Sequence, residues 1–295
     1  MSGRQPTGED TARAVFPMTG PGTTVLAVHA HPDDETWATG AALSTLSALG
    51  CTVHLRVASG GEASEPGQTD VAARTRRAAR LAGASAALGV HQWDWLDEGR
   101  WIDTAGHPQP HSLTSARGED LSDVIVQHLA DIKPGIVLTV GADGLTGHPD
   151  HILIHRAVRH ATARLSVPVT VLGACLLRSD VARGHELLRA ELGDTAIGSG
   201  RCTGSPAHPE VRTLTATAQA ASARRTAVDC YSEGLGTMRL ADLLLTYAGR
   251  GDSLLLRGVH DAIGWGTERY RAYSSACGET PEGRSRTGRP AGRTP

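Results

Sequence analysis

The run Thr24-Val-Leu-Ala-Val28 leads directly into His29-Ala-His-Pro-Asp-Asp-Glu35, and from Trp37 to Leu49 the pattern turns helical, rich in Ala and Leu. A short apolar β-rich run, a polar turn and a helix, in that order, predict a strand whose carboxyl end carries a loop of chemistry-bearing side chains. Gly50 closes the helix and Cys51 to Ala58 reads as a second strand, which completes one βαβ unit ahead of the polar loop 59–70. Val71 to Leu88 is the next helix, with Arg74, Arg76, Arg77 and Arg80 on its polar positions and Gly89 as its stop; Gln92 to Leu96 is a third strand. The alternation continues through a helix over Ser115 to Ile132, a buried strand over Gly135 to Val140, a helix over Asp150 to Leu165 and a strand over Val167 to Leu172. Repeated strand–helix alternation with right-handed crossovers predicts an α/β fold, a Rossmann-like open, mostly parallel sheet with helices on both faces. Beyond Ser179 the pattern weakens, with Val211 to Asp229 helix-like and Leu240 to Tyr247 a further apolar run.

Composition agrees with that reading and narrows the partners. Of 295 residues 40% are hydrophobic but only 3% aromatic, so Val, Leu, Ala and Ile must fill the core, which favours α/β over all-β. A formal net charge of −2 without an extended Lys/Arg block argues against nucleic acid or an anionic membrane and for a small-molecule substrate. Cys51, Cys175, Cys202, Cys230 and Cys277 are scattered and odd in number, as expected of free thiols in a reducing compartment. The segment 1–21 carries Arg4, Glu9, Asp10 and Arg13 and lacks the apolar stretch of a secretory signal, so a cytoplasmic location is expected. The organisation read from the chain is an extension over 1–21, one domain over 22–277 in which about 180–277 shapes the substrate mouth, and a disordered tail over 278–295.

Chemistry concentrates in two places. His31, Asp33 and Asp34 offer one nitrogen and two hard oxygen donors on a sharply turning loop at a strand end. His148-Pro-Asp-His151 lies just past the carboxyl end of another strand and opens a helix, so the predicted fold brings the two loops together. Two histidines and a carboxylate with one position open suit a catalytic metal that lowers the pKa of a water to roughly 7. Asp33 then stands where it can take a proton from that water, and His148 faces the developing oxyanion or the leaving nitrogen. Asp150 is read as the partner that orients His148.

The segments Ala27-Val-His-Ala-His-Pro-Asp-Asp-Glu35 and His148-Pro-Asp-His-Ile152 resemble the paired AHPDDE and HPDH signatures of the PIG-L/LmbE-like deacetylases, and the resemblance runs over roughly residues 22 to 175. It implies a zinc-dependent N-deacetylase acting on an amino-sugar substrate, with His31, Asp34 and His151 as the zinc ligands, Asp33 as general base and His148 as electrophile or acid. Fe(II) and Co(II) suit the same donor set. Ser59-Gly-Gly-Glu62 resembles the family's Thr-Arg-Gly-Glu loop without its arginine, and the resemblance points to Arg74, or alternatively Arg77, and to Asp97 as substrate contacts. It leaves the pathway open between thiol-cofactor and natural-product biosynthesis.

Several of these residues have plainer readings. The arginines at 74–80 fit a solvated helix face, Trp93, Trp95 and Trp101 fit core packing as well as a sugar platform, and His29 fits a core position. Glu35 fits a carboxylate favoured by the dipole at a helix N-terminus. Two rival functions remain open: an amidase for a bulkier N-acyl or thiol-sugar S-conjugate, and a non-catalytic metal or carbohydrate-binding module.

Overall fold

The structure is a computed structural model that describes residues 7–17 and 19–273; Cys277 and the stretch 278–295 lie outside them. In chain order the elements are α1 (Gly8–Val15), β1 (Thr24–His29), α2 (Asp34–Ala48), β2 (Thr52–Val57), α3 (Asp70–Leu88), β3 (Gln92–Trp95), α4 (Gly118–Ile132), β4 (Ile136–Val140), the single turn α5 (Gly144–Gly147), α6 (Pro149–Ala163) and β5 (Thr170–Cys175). They continue with α7 (Arg178–Leu192), β6 (Val211–Thr215), α8 (Ala218–Tyr231), α9 (Leu240–Thr246), α10 (Asp252–Ile263) and β7 (Thr267–Tyr273).

The strands form one seven-stranded sheet in the order β3-β2-β1-β4-β5-β7-β6. The first five are parallel, with Ala27 opposite Leu55 on one side of β1 and Val25 opposite Ile136 on the other. β7 runs antiparallel to both β5 and β6 and so converts the parallel edge into an antiparallel one. β1 and β4 are buried almost throughout, as central strands covered on both faces must be. One face packs Leu43 and Leu46 of α2, Leu81 and Leu88 of α3 and Val228 of α8, and the other packs Ile125 of α4 with Ile154 and Val158 of α6.

One sequence reading changes here. The segment 211–229 is not one helix: Val211, Thr213 and Thr215 are β-branched at alternate positions and run as an edge strand, and Thr217 then caps α8 by accepting from the Ala220 N–H at 3.2 Å. The N-terminal segment reaches the body, because Thr11 Oγ1 donates to the Thr215 carbonyl at 2.8 Å and the buried Phe16 packs edge-on against Tyr270, centroids 5.3 Å apart. The apolar run beginning at Leu240 is the short helix α9. No helix among the described residues is long and apolar enough to cross a membrane, and Cys51, Cys175, Cys202 and Cys230 are free thiols.

The topology fixes where a ligand can lie. β1 leads into α2 on one face while its neighbour β4 leads through α5 into α6 on the other, so the loops part at the carboxyl edge and leave a crevice between them.

Candidate metal centre

A cleft of about 230 Å³ opens at that crevice, with His31, Asp33, Asp34, His148 and His151 in its wall. Asp34 begins α2, and its Oδ2 accepts from the backbone N–H groups of Ala30 at 3.1 Å and His31 at 2.9 Å, which turns the carboxylate back toward its own loop. His151 sits in the first turn of α6, where its Nδ1 lies 3.0 Å from the Gly144 carbonyl; only an N–H can make that bond, so the lone pair is on Nε2. His31 Nε2 lies 3.1 Å from Asp150 Oδ2, which holds the proton on that side and leaves the lone pair on Nδ1. The two lone-pair nitrogens face each other at 3.2 Å, and Asp34 Oδ1 stands 3.0 Å from His151 Nε2.

Three donor atoms converging with their lone pairs inward suit a cation between them, and two nitrogens with one oxygen fit a divalent metal. The local electrostatics favour a positive charge at this point, carried by a proton on His31 where no metal is bound. Burial would lower the pKa of His31, but the carboxylates of Asp103, Asp150 and Asp34 raise it to about 10. Burial would raise Asp34, yet His151 and His31 hold its carboxyl well below the usual range. His148, pushed down to about 4 by burial and by the neighbouring His31 and His151, is a neutral ring. As the N-cap of α6 it accepts the Asp150 N–H on Nδ1 at 3.3 Å, so its own proton is on Nε2.

Asp33 takes the N-cap position of α2 at φ 110° and ψ −24°, a left-handed conformation that L residues rarely adopt. Its Oδ2 lies 3.1 Å from an Arg77 nitrogen, and Arg77 also donates to the Pro32 carbonyl. Because a glycine loses nothing at such a backbone angle, Asp33→Gly is expected to be more stable than Asp33→Ala by about 1 kcal/mol, read as a higher Tm for the glycine variant. Equal stabilities would mean that the turn is not held at positive φ.

The other expected site residues divide. Asp150 is in the centre, but its carboxylate is on His31 rather than His148, with Thr114 Oγ1 donating to its other oxygen at 2.6 Å; His148 meets only the backbone of Asp150, as a cap does. Arg74 does not line the cleft: it pairs with Glu62 at 2.9 Å, and Glu62 in turn accepts the Asp103 N–H at 2.9 Å. The arginine that reaches Asp33 is Arg77, because Ala73, Arg77, Leu81, Ala84 and Leu88 form the buried stripe of α3. Asp97 is also displaced from the cleft, half-exposed and paired with Arg100 at 3.1 Å. The carboxylate that lines the cleft is Asp103, six residues on and 3.6 Å from His31 Nε2, which the sequence reading passed over.

Trp93 and Trp95 pack against each other and the core, and Trp101 is buried, so none forms a platform in the cleft. His29 is a core residue bonded to Thr39 at 3.0 Å and lowered to about 4 by burial. Asp252, Ser253 and Leu256 of α10 close the cleft from the C-terminal half.

The family profile described as "PIG-L: GlcNAc-PI de-N-acetylase" matches residues 26–162, which carry both loops of this centre. Over these residues the chain is similar to the PIG-L family. A relative in Acidothermus cellulolyticus, named 1D-myo-inositol 2-acetamido-2-deoxy-alpha-D-glucopyranoside deacetylase, is 35% identical over 192 residues, 60% of this chain and 65% of that protein. One of the same name in Actinosynnema mirum is 33% identical over 185 residues, 58% of this chain and 65% of that protein. This chain thus spans about 65% of the length of these relatives. Among solved structures, a deacetylase of the teicoplanin biosynthesis pathway superimposes with a TM-score of 0.54 at 21% identity, over 85% of this chain and 98% of its own. The N,N'-diacetylchitobiose deacetylase of Pyrococcus horikoshii gives 0.53 at 15% identity, over 93% and 96%. At those identities the likeness shows a shared fold.

Proposed function

We propose that this chain is a hydrolase that removes an N-acetyl group from an amino-sugar substrate and that His31, Asp34 and His151 hold Zn(II). The observation that supports this most is the meeting of two imidazole nitrogens at 3.2 Å, each with its proton tied to the far side of the ring, beside the Asp34 carboxylate. The family match and the names of the relatives support an acetamido sugar as the substrate class. Fe(II) or Co(II) suits the same donors.

A metal bound there supplies Lewis acidity, which polarises the amide carbonyl and brings the pKa of a water down to roughly 7. Asp33, next to Asp34 in the cleft wall, takes the proton from the attacking water. His148 donates its Nε2–H to the oxygen that becomes negative as the carbonyl turns tetrahedral, and a neutral ring suits that role. The proton collected by Asp33 then goes to the departing nitrogen, so that one amide and one water yield acetic acid and a free amine. Asp103, on the cleft wall, is placed to accept hydrogen bonds from sugar hydroxyls.

The test is acetate release from N-acetylglucosamine and a set of its glycosides, with and without a chelator and with zinc returned afterwards. Release that stops with the chelator and resumes with zinc is the expected result. Stoichiometric zinc without release from any of them would transfer the reading to bulkier N-acyl substrates, and the absence of bound metal would remove the centre itself.

A further inference from the structure

The conformation of Asp33 needs an explanation that the metal ligands do not supply. Its carbonyl accepts from the N–H groups of Thr36 at 3.0 Å and Trp37 at 3.2 Å and from the Thr36 hydroxyl at 2.7 Å, as any helix cap might. What distinguishes it is its own N–H, which at the left-handed φ of 110° donates to Glu35 Oε2, two residues on, at 3.0 Å. Glu35 is fully buried, and its other oxygen, Oε1, accepts from the Tyr231 hydroxyl at 2.7 Å. Tyr231 is the last residue of α8, 196 positions further along the chain. Its ring also lies beneath the guanidinium of Arg77, 5.0 Å from the centroid, and Arg77 holds the Asp33 carboxylate. Both the backbone and the side chain of Asp33 are therefore tied to groups that converge on Tyr231.

We infer that Tyr231 is a positioning residue for the base of the proposed reaction, acting through the buried carboxyl of Glu35 to hold Asp33 in its left-handed conformation. A carboxyl oxygen buried without a donor is costly, so the hydroxyl selects the one orientation of Glu35 that leaves Oε2 facing the Asp33 N–H. Strained backbone persists only where its surroundings over-determine it, and this chain of two hydrogen bonds is the part of those surroundings contributed by the C-terminal half. Without the hydroxyl Glu35 turns, the Asp33 N–H loses its acceptor and the residue relaxes toward ordinary φ, which swings its carboxylate relative to the cleft.

Tyr231→Phe tests this, because it keeps the ring and its contact with Arg77 and deletes only the donor. Since a displacement of an ångström at a reacting group is costly, the expected result is a kcat about 10-fold lower with KM and metal content unchanged. A crystal structure of the variant is expected to show residue 33 away from positive φ. Tyr231→Phe added to Glu35→Leu should cost nothing further, because the tyrosine hydroxyl acts only through the glutamate. A variant with wild-type kcat, a residue 33 still at positive φ, or additive losses in the pair would overturn the inference. It rests on the assignment of Asp33 as base: a wild-type chain that releases no acetate removes that assignment, whereas the backbone at residue 33 reports on the positioning independently of turnover.

Discussion

Asp33→Asn should lower the rate of acetate release by about 10²–10⁴-fold, the range over which a positioned general base contributes, while leaving the metal in place. The substitution is nearly isosteric. An asparagine tolerates the left-handed backbone, keeps an oxygen for Arg77 at the position that now pairs at 3.1 Å, and leaves Asp34 and its two backbone donors untouched. What it removes is the ability to take a proton. The Asp33 side chain is about one quarter exposed, in contact with the cleft rather than sealed behind it, so a water or substrate atom can reach it. Burial, only partly opposed by Arg77, raises its carboxyl above the usual range. Turnover measured beside metal stoichiometry checks this. A variant with full metal and wild-type turnover would mean that the base lies elsewhere, and that the cleft binds without the chemistry proposed for it.

The parts of the fold that were legible in the sequence are those where a single local pattern carries the information. β1 and β4 are buried on both faces and therefore read as apolar runs, and the loops at their carboxyl ends hold the clustered His and Asp residues. The antiparallel end of the sheet was not legible. β6 buries only Leu214 of its five residues, so it offers no apolar run, and β7 is named by its pairing with β5 rather than by its own composition. At the site, residue types and spacing located the centre but not the direction of each side chain. Arg74 and Arg77 differ only in helical phase, and the buried stripe through Leu81 and Leu88 places Arg77 inward; that phase was present in the sequence. Asp103 was harder to find, since its place depends on Glu62 holding its N–H from a loop 41 residues earlier.

Asp150 shows what that difference in direction costs and yields the second large effect. Read from spacing, it is the partner of His148, and its loss should then lower turnover with metal binding intact. In the structure its fully buried carboxylate is 3.1 Å from His31 Nε2, fixed by the Thr114 hydroxyl at 2.6 Å, and what it controls is which nitrogen of His31 carries the proton. Asp150→Asn keeps the shape but removes the charge that draws the His31 proton to Nε2, so Nδ1 becomes a poorer donor toward His151 and Asp34. The expected result is a metal affinity about 10–100-fold weaker, measured by competition with a chromophoric chelator, the range typical of groups that orient a metal-bound histidine. Because the defect is in occupancy, excess zinc should restore much of the turnover in Asp150→Asn and none in Asp33→Asn. If instead Asp150→Asn binds zinc as the wild type does and turns over slowly at every zinc concentration, Asp150 acts on the reaction through His148, and the proton on His31 is held by Asp103, whose carboxylate lies 3.6 Å from the same nitrogen.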